Sequence, residues 1–267
     1  MHALKHLDDP SSPELEPYTK IRERDLIGRE RLFVAEGEVV VRVLASRSRL
    51  KIRSFLLEGR RVEAMRDVLE KSEAPVYVVP QAVMDRVVGF AIHRGVLALG
   101  ERGPDASPPS LLHDARIVVG LIGLTNHDNV GGIFRSAAAF GADAVLLDEE
   151  TCDPLYRKAI RVSAGAALLL PFARVTNAFD LIDLVRAAGL EPIALTPRGE
   201  ETIESLPRGR YALLLGTEGP GLPDDVLERV RRVRIDMPGK LDSLNVGVAG
   251  AIALHHVSRA SGASPRR

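Results

Sequence analysis

The stretch from Ile235 to Leu254 restricts the fold of this chain more than any other. It begins as a strand end, passes through a segment rich in Gly, Pro, Asp and Ser, and becomes an unbroken series of small and apolar residues after Asn245. Asn is a favourable N-cap, so the spacing predicts a helix that opens at Asn245. Such a strand–loop–helix corner presents backbone amides and polar side chains to whatever lies above it.

Two earlier segments are built in the same way. Residues 124–137 contain a strand end, the polar run Thr125-Asn126-His127-Asp128-Asn129 and a helical pattern, and residues 213–222 place Gly216-Thr217-Glu218-Gly219 after an apolar strand. Three such corners, separated by alternating helix and strand patterns, predict an α/β fold with a parallel sheet. They also predict a ligand site at the carboxyl ends of its strands.

These corners carry a family resemblance. The residues concerned are, in chain order, Asn129-Val130-Gly131, Arg135-Ser136-Ala137, Gly216-Thr217-Glu218-Gly219 and Ser243-Leu244-Asn245-Val246. They resemble the three ordered motifs of the SpoU (TrmH-type) class of the SPOUT superfamily, which are RNA ribose 2′-O-methyltransferases. The resemblance covers roughly residues 115 to 257. The family more often has Thr where Ser136 stands and Ser where Gly247 stands, and neither change removes a group with a catalytic role.

The resemblance implies a fold, a donor and a set of site residues. It implies a C-terminal parallel-sheet domain with a deep trefoil knot, preceded by a small ribosomal-protein-like α/β domain that binds RNA. The implied methyl donor is S-adenosylmethionine. Carried over residue by residue, its contacts fall at Leu195, Gly216, Ile235, Met237 and Leu244. The implied catalytic residues are Asn129, Arg135, Glu218, Ser243 and Asn245.

Each catalytic candidate also has a structural interpretation. Arg135 fits a charged position on an amphipathic helix, Asn129 fits a helix cap, and Glu218 fits a surface turn held by Gly and Pro. Ser243 and Asn245 fit a loop and a cap. The family account often makes the Arg135 equivalent a general base, but a guanidinium pKa above about 12 makes a neutral Arg costly. We therefore expect Arg135 to fix the nucleotide while the other four residues orient the attacking oxygen.

A segment rich in Gly, Pro and Ser divides the chain. The run Arg102-Gly103-Pro104-Asp105-Ala106-Ser107-Pro108-Pro109-Ser110 is the clearest break and predicts a linker without regular structure at 102–113. The predicted domains are then 1–101, which binds RNA and begins with a loosely held arm, and 114–260, the methyltransferase domain. Residues 261–267 are predicted to be a frayed tail.

The first domain contains a cluster of basic residues. They are Arg42, Arg47, Arg49, Lys51, Arg53, Arg60 and Arg61. The chain as a whole has 36 basic and 36 acidic residues, so RNA binding would need a local patch of this kind. An aromatic content of 4% without Trp argues against base-stacking platforms. The alternative is a solvated surface whose charges are balanced by nearby Glu58, Glu63 and Asp67.

Partners and location are also predicted. One cysteine, Cys152, and the lack of an apolar signal core or membrane-length run indicate a cytoplasmic protein. Seven scattered histidines give no metal-ligand spacing, so no metal site is expected. The helix after Asn245, with Ala249, Ile252, Ala253 and His256, is apolar around much of its circumference and predicts a homodimer through the C-terminal domain.

Three functions remain open at this point. The resemblance implies methylation of a ribose 2′-hydroxyl in a structured RNA, with ribosomal RNA favoured over transfer RNA. The first alternative is a non-catalytic RNA-binding or ribosome-assembly module on the same fold, against which the presence of Asn129, Arg135, Glu218 and Asn245 speaks. The second is methylation of a base, which would require different groups at the motif positions.

Overall fold

The computed structural model describes residues 4–19, 23–88, 95–239, 241 and 243–262. The chain divides into two compact units. The first unit comprises Met1–Pro104 and Leu155–Leu169, and the second comprises Asp105–Pro154 and Leu170–Arg267. The first division lies within the predicted linker. Leu155–Leu169, which the sequence analysis included in the methyltransferase domain, packs instead with the N-terminal unit.

The first unit is built on a mixed five-stranded sheet. Its strands are β1 (Leu4–His6), β2 (Leu32–Glu36), β3 (Ile52–Glu58), β4 (Val76–Val79) and β5 (Val96–Glu101). Its helices within the first hundred residues are α1 (Glu23–Gly28), α2 (Glu38–Ser46), α3 (Arg66–Leu69) and α4 (Gln81–Val88). The strand order is β1-β4-β3-β5-β2, with β5 antiparallel to both of its neighbours. This unit therefore contains both helices and strands.

The predicted loose N-terminal arm is wrong for the part that the structure describes. Strand β1 pairs in parallel with β4 at the edge of the sheet. A short 3-10 helix, Pro13–Tyr18, follows and buries Leu15 and Tyr18. The Tyr18 hydroxyl shares a hydrogen bond of 2.6 Å with Ser54 Oγ. A three-residue edge strand has too little periodicity to be recognised in the sequence.

The second unit has a seven-stranded sheet in which every pairing is parallel. Its strands are β6 (Ile117–Leu121), β7 (Ala144–Leu147), β8 (Phe172–Arg174), β9 (Glu191–Leu195), β10 (Glu201–Thr202), β11 (Tyr211–Leu215) and β12 (Arg231–Arg234). The order is β10-β12-β9-β11-β6-β7-β8. All residues of β6 and β11 are buried, as expected for central strands covered on both faces. The parallel α/β fold is confirmed.

The described part of the chain after β5 contains six further α-helices. They are α5 (Pro108–Leu112), α6 (His127–Ala139), α7 (Arg157–Val162), α8 (Ala178–Ala187), α9 (Asp224–Leu227) and α10 (Val246–Ala260). The expectation that 102–113 has no regular structure is wrong, because α5 begins with two prolines and buries Leu112. Proline is well tolerated in the first helical turn, where its missing N–H has no helical partner.

Helix α7 packs on strand β2 within the first unit. Arg157 Nε lies 2.8 Å from Glu36 Oε2, and Arg161 NH1 lies 3.9 Å from Glu36 Oε1. The Glu36 residue is 4% exposed, so its charge depends on these guanidinium groups for compensation. The pair fixes this segment of the later sequence on the N-terminal sheet.

No helix in the described part of the chain is long and apolar enough to span a membrane.

Candidate active site and cofactor cavity

Four adjacent strands of the second sheet, β12, β9, β11 and β6, bring their carboxyl ends to one edge. The described residues that follow them are 235–239, 241 and 243–245 after β12, 196–200 after β9, 216–223 after β11 and 122–126 after β6. Because all of these strands are parallel, the three corners seen in the sequence meet there, together with the loop after β9. This is the usual location of ligand sites in open α/β sheets.

A cavity of about 580 Å³ lies at this edge. It is bounded by the segments after β9, β11 and β12 and by the first turn of α10. It is lined by all five predicted cofactor residues, Leu195, Gly216, Ile235, Met237 and Leu244, and by three predicted catalytic residues, Glu218, Ser243 and Asn245. Its volume lies in the range of small-molecule sites. The other two catalytic candidates, Asn129 and Arg135, lie outside this lining.

The two ends of the loop after β11 approach each other closely. A Cβ atom on Gly216 would lie 2.4 Å from the backbone carbon of Gly221 and 2.4 Å from the nitrogen of Leu222. Thr217 N donates to Gly221 O at 3.2 Å, and Gly221 N donates to Thr217 O at 3.1 Å. Gly221 has a φ of +77°, which side-chain-bearing residues rarely adopt. These contacts place Glu218 at the tip of a closed turn.

Three of the predicted catalytic side chains form one hydrogen-bond network. Asn129 Nδ2 donates to Glu218 Oε1, and Asn245 Nδ2 donates to Asn129 Oδ1 at 2.9 Å. Asn245 Oδ1 also accepts from the backbone nitrogens of Gly247 and Val248 at 2.9 and 3.2 Å. Asn245 therefore caps α10, as predicted, and also orients the amide of Asn129.

The alternative interpretation of Asn129 as the cap of α6 is wrong. The N-cap is Asn126, whose side chain accepts a hydrogen bond from Asp128 N at 2.8 Å. Asn129 lies in the first turn and is only 7% exposed. Its amide is thus free of capping and can take part in the network with Glu218 and Asn245.

Arg135 is not part of this network. It is exposed on α6, six residues after Asn129. At 1.5 Å rise and 100° per residue, that spacing places it about 9 Å further along the helix and on a different side. The structure of the single chain therefore brings together Asn129, Glu218, Asn245 and Ser243 near the cavity but leaves Arg135 apart from them.

A neighbouring loop is fixed by a buried polar cluster that the sequence analysis missed. Asp148 accepts hydrogen bonds from Gly123 N at 2.9 Å and from Thr151 N at 2.8 Å. Arg174 donates to the backbone oxygens of Asp148 and Thr151 at 2.9 and 3.0 Å. In the same loop, burial raises the pKa of the Cys152 thiol to about 12, so this thiol is neutral and is not a nucleophile at neutral pH.

The sequence analysis also missed two polar residues of the cavity, Thr196 and Arg198. Both follow β9, and their position directly after a parallel strand was the available signal. Within the described residues, no group of three His, Cys, Asp or Glu side chains is arranged to hold a metal ion.

The geometry defines a parallel α/β protein with a cavity of mixed polar and apolar lining and an amide–carboxylate network at its carboxyl edge. Comparison with known proteins assigns it to a family. Residues 116–255 match the model of the SpoU rRNA Methylase family. Proteins described as uncharacterized tRNA/rRNA methyltransferases of Mycobacterium bovis and Mycobacterium tuberculosis are each 40% identical over 265 residues, covering 94% of this chain and 90% of theirs. The chain belongs to the SpoU rRNA methylase family.

Solved structures agree in fold. An AdoMet-bound rRNA methyltransferase from Sinorhizobium meliloti is 25% identical, with a TM-score of 0.80 over 96% of this chain and 98% of that one. A protein described as an RNA 2′-O ribose methyltransferase is 26% identical, with a TM-score of 0.78 over 95% of this chain and 98% of that one. The similarity spans both units of the chain, and the enzyme class is that of methyltransferases.

Proposed function

We propose that this protein transfers a methyl group from S-adenosylmethionine to a ribose 2′-hydroxyl in a structured RNA. The observation that carries the proposal is the network of Asn129, Glu218 and Asn245 beside the cavity. It offers oriented polar groups for a hydroxyl next to a site of suitable size for the donor. The names of the solved relatives, one AdoMet-bound and one a 2′-O ribose methyltransferase, support the same reaction.

The cavity fits the donor in size and character. Leu195, Leu215, Ile235 and Met237 supply apolar walls for an adenine ring, and its volume of about 580 Å³ suits a nucleoside with an amino-acid chain. When bound there, the donor supplies a methyl group on an electrophilic sulfonium. The chain's own contribution is to hold that group and the attacking oxygen in line, and such alignment can supply much of the reduction in barrier.

The polar residues have separate roles in this proposal. Glu218 accepts a hydrogen bond from the ribose hydroxyl, and Asn129 holds the Glu218 carboxylate in place. Asn245 in turn orients Asn129. Ser243, on the cavity wall, contacts the nucleotide. Arg135 offers cationic guanidinium donors and binds a phosphate or hydroxyl of the RNA.

We also propose a deep trefoil knot in the second unit, and that the first unit is a ribosomal-protein-like domain that binds RNA. The knot is proposed from the family resemblance. In the structure, the end of α10 is tied to the segments that precede β11 and β6, where Gly209 N donates to Ala260 O at 3.2 Å and Arg116 donates to Ser261 O. Support for RNA binding by the first unit comes from exposed basic residues between α2 and β3.

Those residues are fewer than the sequence suggested. Arg42 is paired with Glu38 and Asp67, Arg53 with Glu101, and Arg60 with Glu58. Arg47, Arg49 and Lys51, by contrast, are exposed on the segment between α2 and β3, here named the basic loop. We expect RNA contacts to concentrate in this loop.

Removing the basic loop's charges should flatten the salt dependence of RNA binding. Each of Arg47→Ala, Arg49→Ala and Lys51→Ala is expected to lower the slope of log K against log salt by roughly 0.7 to 0.9, because each lost phosphate contact releases about that many fewer counterions. Filter binding across a salt series measures the slope. Arg66→Ala is the matched control, since Arg66 is exposed but paired with Glu63. If each loop variant had the same slope as the wild-type protein, the basic loop would be a solvated surface that does not contact RNA.

The functional test is a tritiated-methyl assay on total cellular RNA, followed by mapping of the modified nucleotide. A ribose 2′-O-methyl group blocks alkaline cleavage at its own position, whereas a methylated base does not. We expect one position of ribosomal RNA to become resistant to alkaline cleavage. We also propose that the protein carries out this methylation in the cytoplasm. Transfer to a base would overturn the ribose assignment, and RNA binding without transfer would favour the assembly module.

The protein is also proposed to act as a homodimer through α10. The support is a set of exposed apolar side chains in the first turn of α10 and just before it, with Leu241 76%, Leu244 40% and Val248 51% exposed. Exposed apolar patches of this kind mark association surfaces. Ala253 is fully buried in its own chain, so it is a poor site for a test of this face.

Val248→Glu is expected to convert the dimer to monomers, because a two-fold contact places the new charge twice in one interface. Light scattering at micromolar concentration measures the mass. Val39→Glu is the matched control, since Val39 is 65% exposed on α2 of the other unit. A wild-type mass of one chain would exclude the dimer.

A further inference from the structure

Arg198 is the one cationic residue among the described residues that line the cavity. The lining otherwise consists of apolar, small and uncharged polar residues, with Glu218 as its single acid. Arg198 belongs to the loop after β9, whose backbone is shaped by a hydrogen bond from Arg198 N to Thr196 Oγ1 at 3.3 Å. A cationic donor at such a position can bind the anionic end of a zwitterionic ligand through charge-assisted hydrogen bonds.

The present partner of Arg198 holds it only weakly. Arg198 NH2 lies 2.7 Å from Asp224 Oδ1, at the start of α9. The two side chains are 66% and 78% exposed, and exposed ion pairs of this kind contribute little to stability. The guanidinium can therefore exchange this carboxylate for another at small cost. The pair also joins the loop after β9 to the segment after β11, both of which bound the cavity.

We propose that Arg198 binds the α-carboxylate of the methionine portion of the cofactor, exchanging Asp224 for it. This inference rests on the proposed function, which places S-adenosylmethionine in the cavity. The α-carboxylate is the only anionic group of that molecule, and a guanidinium offers two parallel N–H donors that match a carboxylate. The apolar walls then take the adenine, and Arg198 fixes the opposite end of the ligand.

Truncated ligands test this assignment without RNA or turnover. S-adenosylhomocysteine keeps the amino-acid carboxylate, and 5′-methylthioadenosine lacks it. Calorimetry is expected to show that Arg198→Ala weakens S-adenosylmethionine and S-adenosylhomocysteine by roughly tenfold or more, the effect of losing a hydrogen bond to a charged group. Binding of 5′-methylthioadenosine should stay within about twofold, because its contacts lie elsewhere.

Two further variants distinguish a direct contact between Arg198 and the cofactor from a distortion of the loops that bound the cavity. Asp224→Asn removes the competing carboxylate, so it should leave cofactor affinity unchanged or higher, whereas a purely structural pair would lose affinity in both variants. Arg198→Lys should bind the cofactor more tightly than Arg198→Ala but less tightly than the wild type, since lysine keeps the positive charge but lacks the paired N–H donors of the guanidinium.

Three results would overturn the assignment. Equal weakening of all three ligands in Arg198→Ala would make the residue structural. Unchanged cofactor affinity with a raised KM for RNA would make it a phosphate contact. Unchanged binding and KM would leave it without a role. Failure of the wild-type protein to bind S-adenosylmethionine would instead refute the proposed function, so the two failures are distinguishable.

Discussion

Arg135→Ala is expected to lower methyl transfer by roughly 100-fold or more while cofactor affinity stays within about twofold. Arg135 is exposed on α6 and lies outside the cavity lining, so its loss should leave the donor's contacts intact. Its proposed partner is the RNA, whose misplacement by even 1 Å costs about two orders of magnitude. A tritiated-methyl assay on the mapped RNA, with calorimetry for the cofactor, measures the two effects separately.

Two further variants control this experiment. Arg259→Ala removes an exposed Arg from the last turn of α10 and should leave both measurements unchanged. Arg135→Lys keeps the charge but not the planar fork, so partial activity is expected if the contact is bidentate. Wild-type turnover in Arg135→Ala would remove this residue from the site.

Gly216→Ala is expected to cause the largest loss of cofactor binding, by roughly 100-fold or more, with destabilisation of about 1 to 3 kcal/mol or more. Its Cβ would lie 2.4 Å from backbone atoms of Gly221 and Leu222. Backbone atoms cannot rotate away as a flexible side chain can, so the closed turn must open. Calorimetry and thermal unfolding with and without S-adenosylmethionine measure the two losses.

Gly132→Ala is the matched control for this substitution. Gly132 lies in α6, and a Cβ there would meet nothing within 4 Å. Alanine should therefore be neutral or slightly stabilising, because it is the better helix former. If Gly216→Ala bound the cofactor as tightly as Gly132→Ala does, the close approach of Gly216 to the backbone of Gly221 and Leu222 would not be needed for cofactor binding.

The sequence predicted the elements with strong local signals. The apolar runs that became β6 and β11 were recognised because every residue in them is buried, and Asn245 was recognised because a favourable N-cap residue there directly precedes an unbroken run of small and apolar residues. Asn126 and Asn129 were harder to separate. Both are good caps three residues apart, and only the tertiary partners of Asn129 show which one is free for the site.

Other features depend on distant parts of the chain and left no local pattern. The edge strand β1 exists because β4 offers it unpaired backbone groups. The place of Arg198 at the cavity follows from strand order, which brings the loop after β9 between two predicted corners. The family motifs predicted the residues proposed to act near the reacting groups. The surrounding cavity residues could be identified only once the fold was known.

The interleaving of the two units has a consequence for biosynthesis. When the ribosome has released Met1–Pro104, strand β2 still lacks α7, and the buried Glu36 still lacks Arg157. The roughly 65 residues from Asp105 to Leu169 take about 3 to 13 s to add at typical elongation rates of about 5 to 20 residues per second. The N-terminal unit is thus completed only after the first strands of the second unit have been made, so the nascent chain cannot finish one unit before it begins the other.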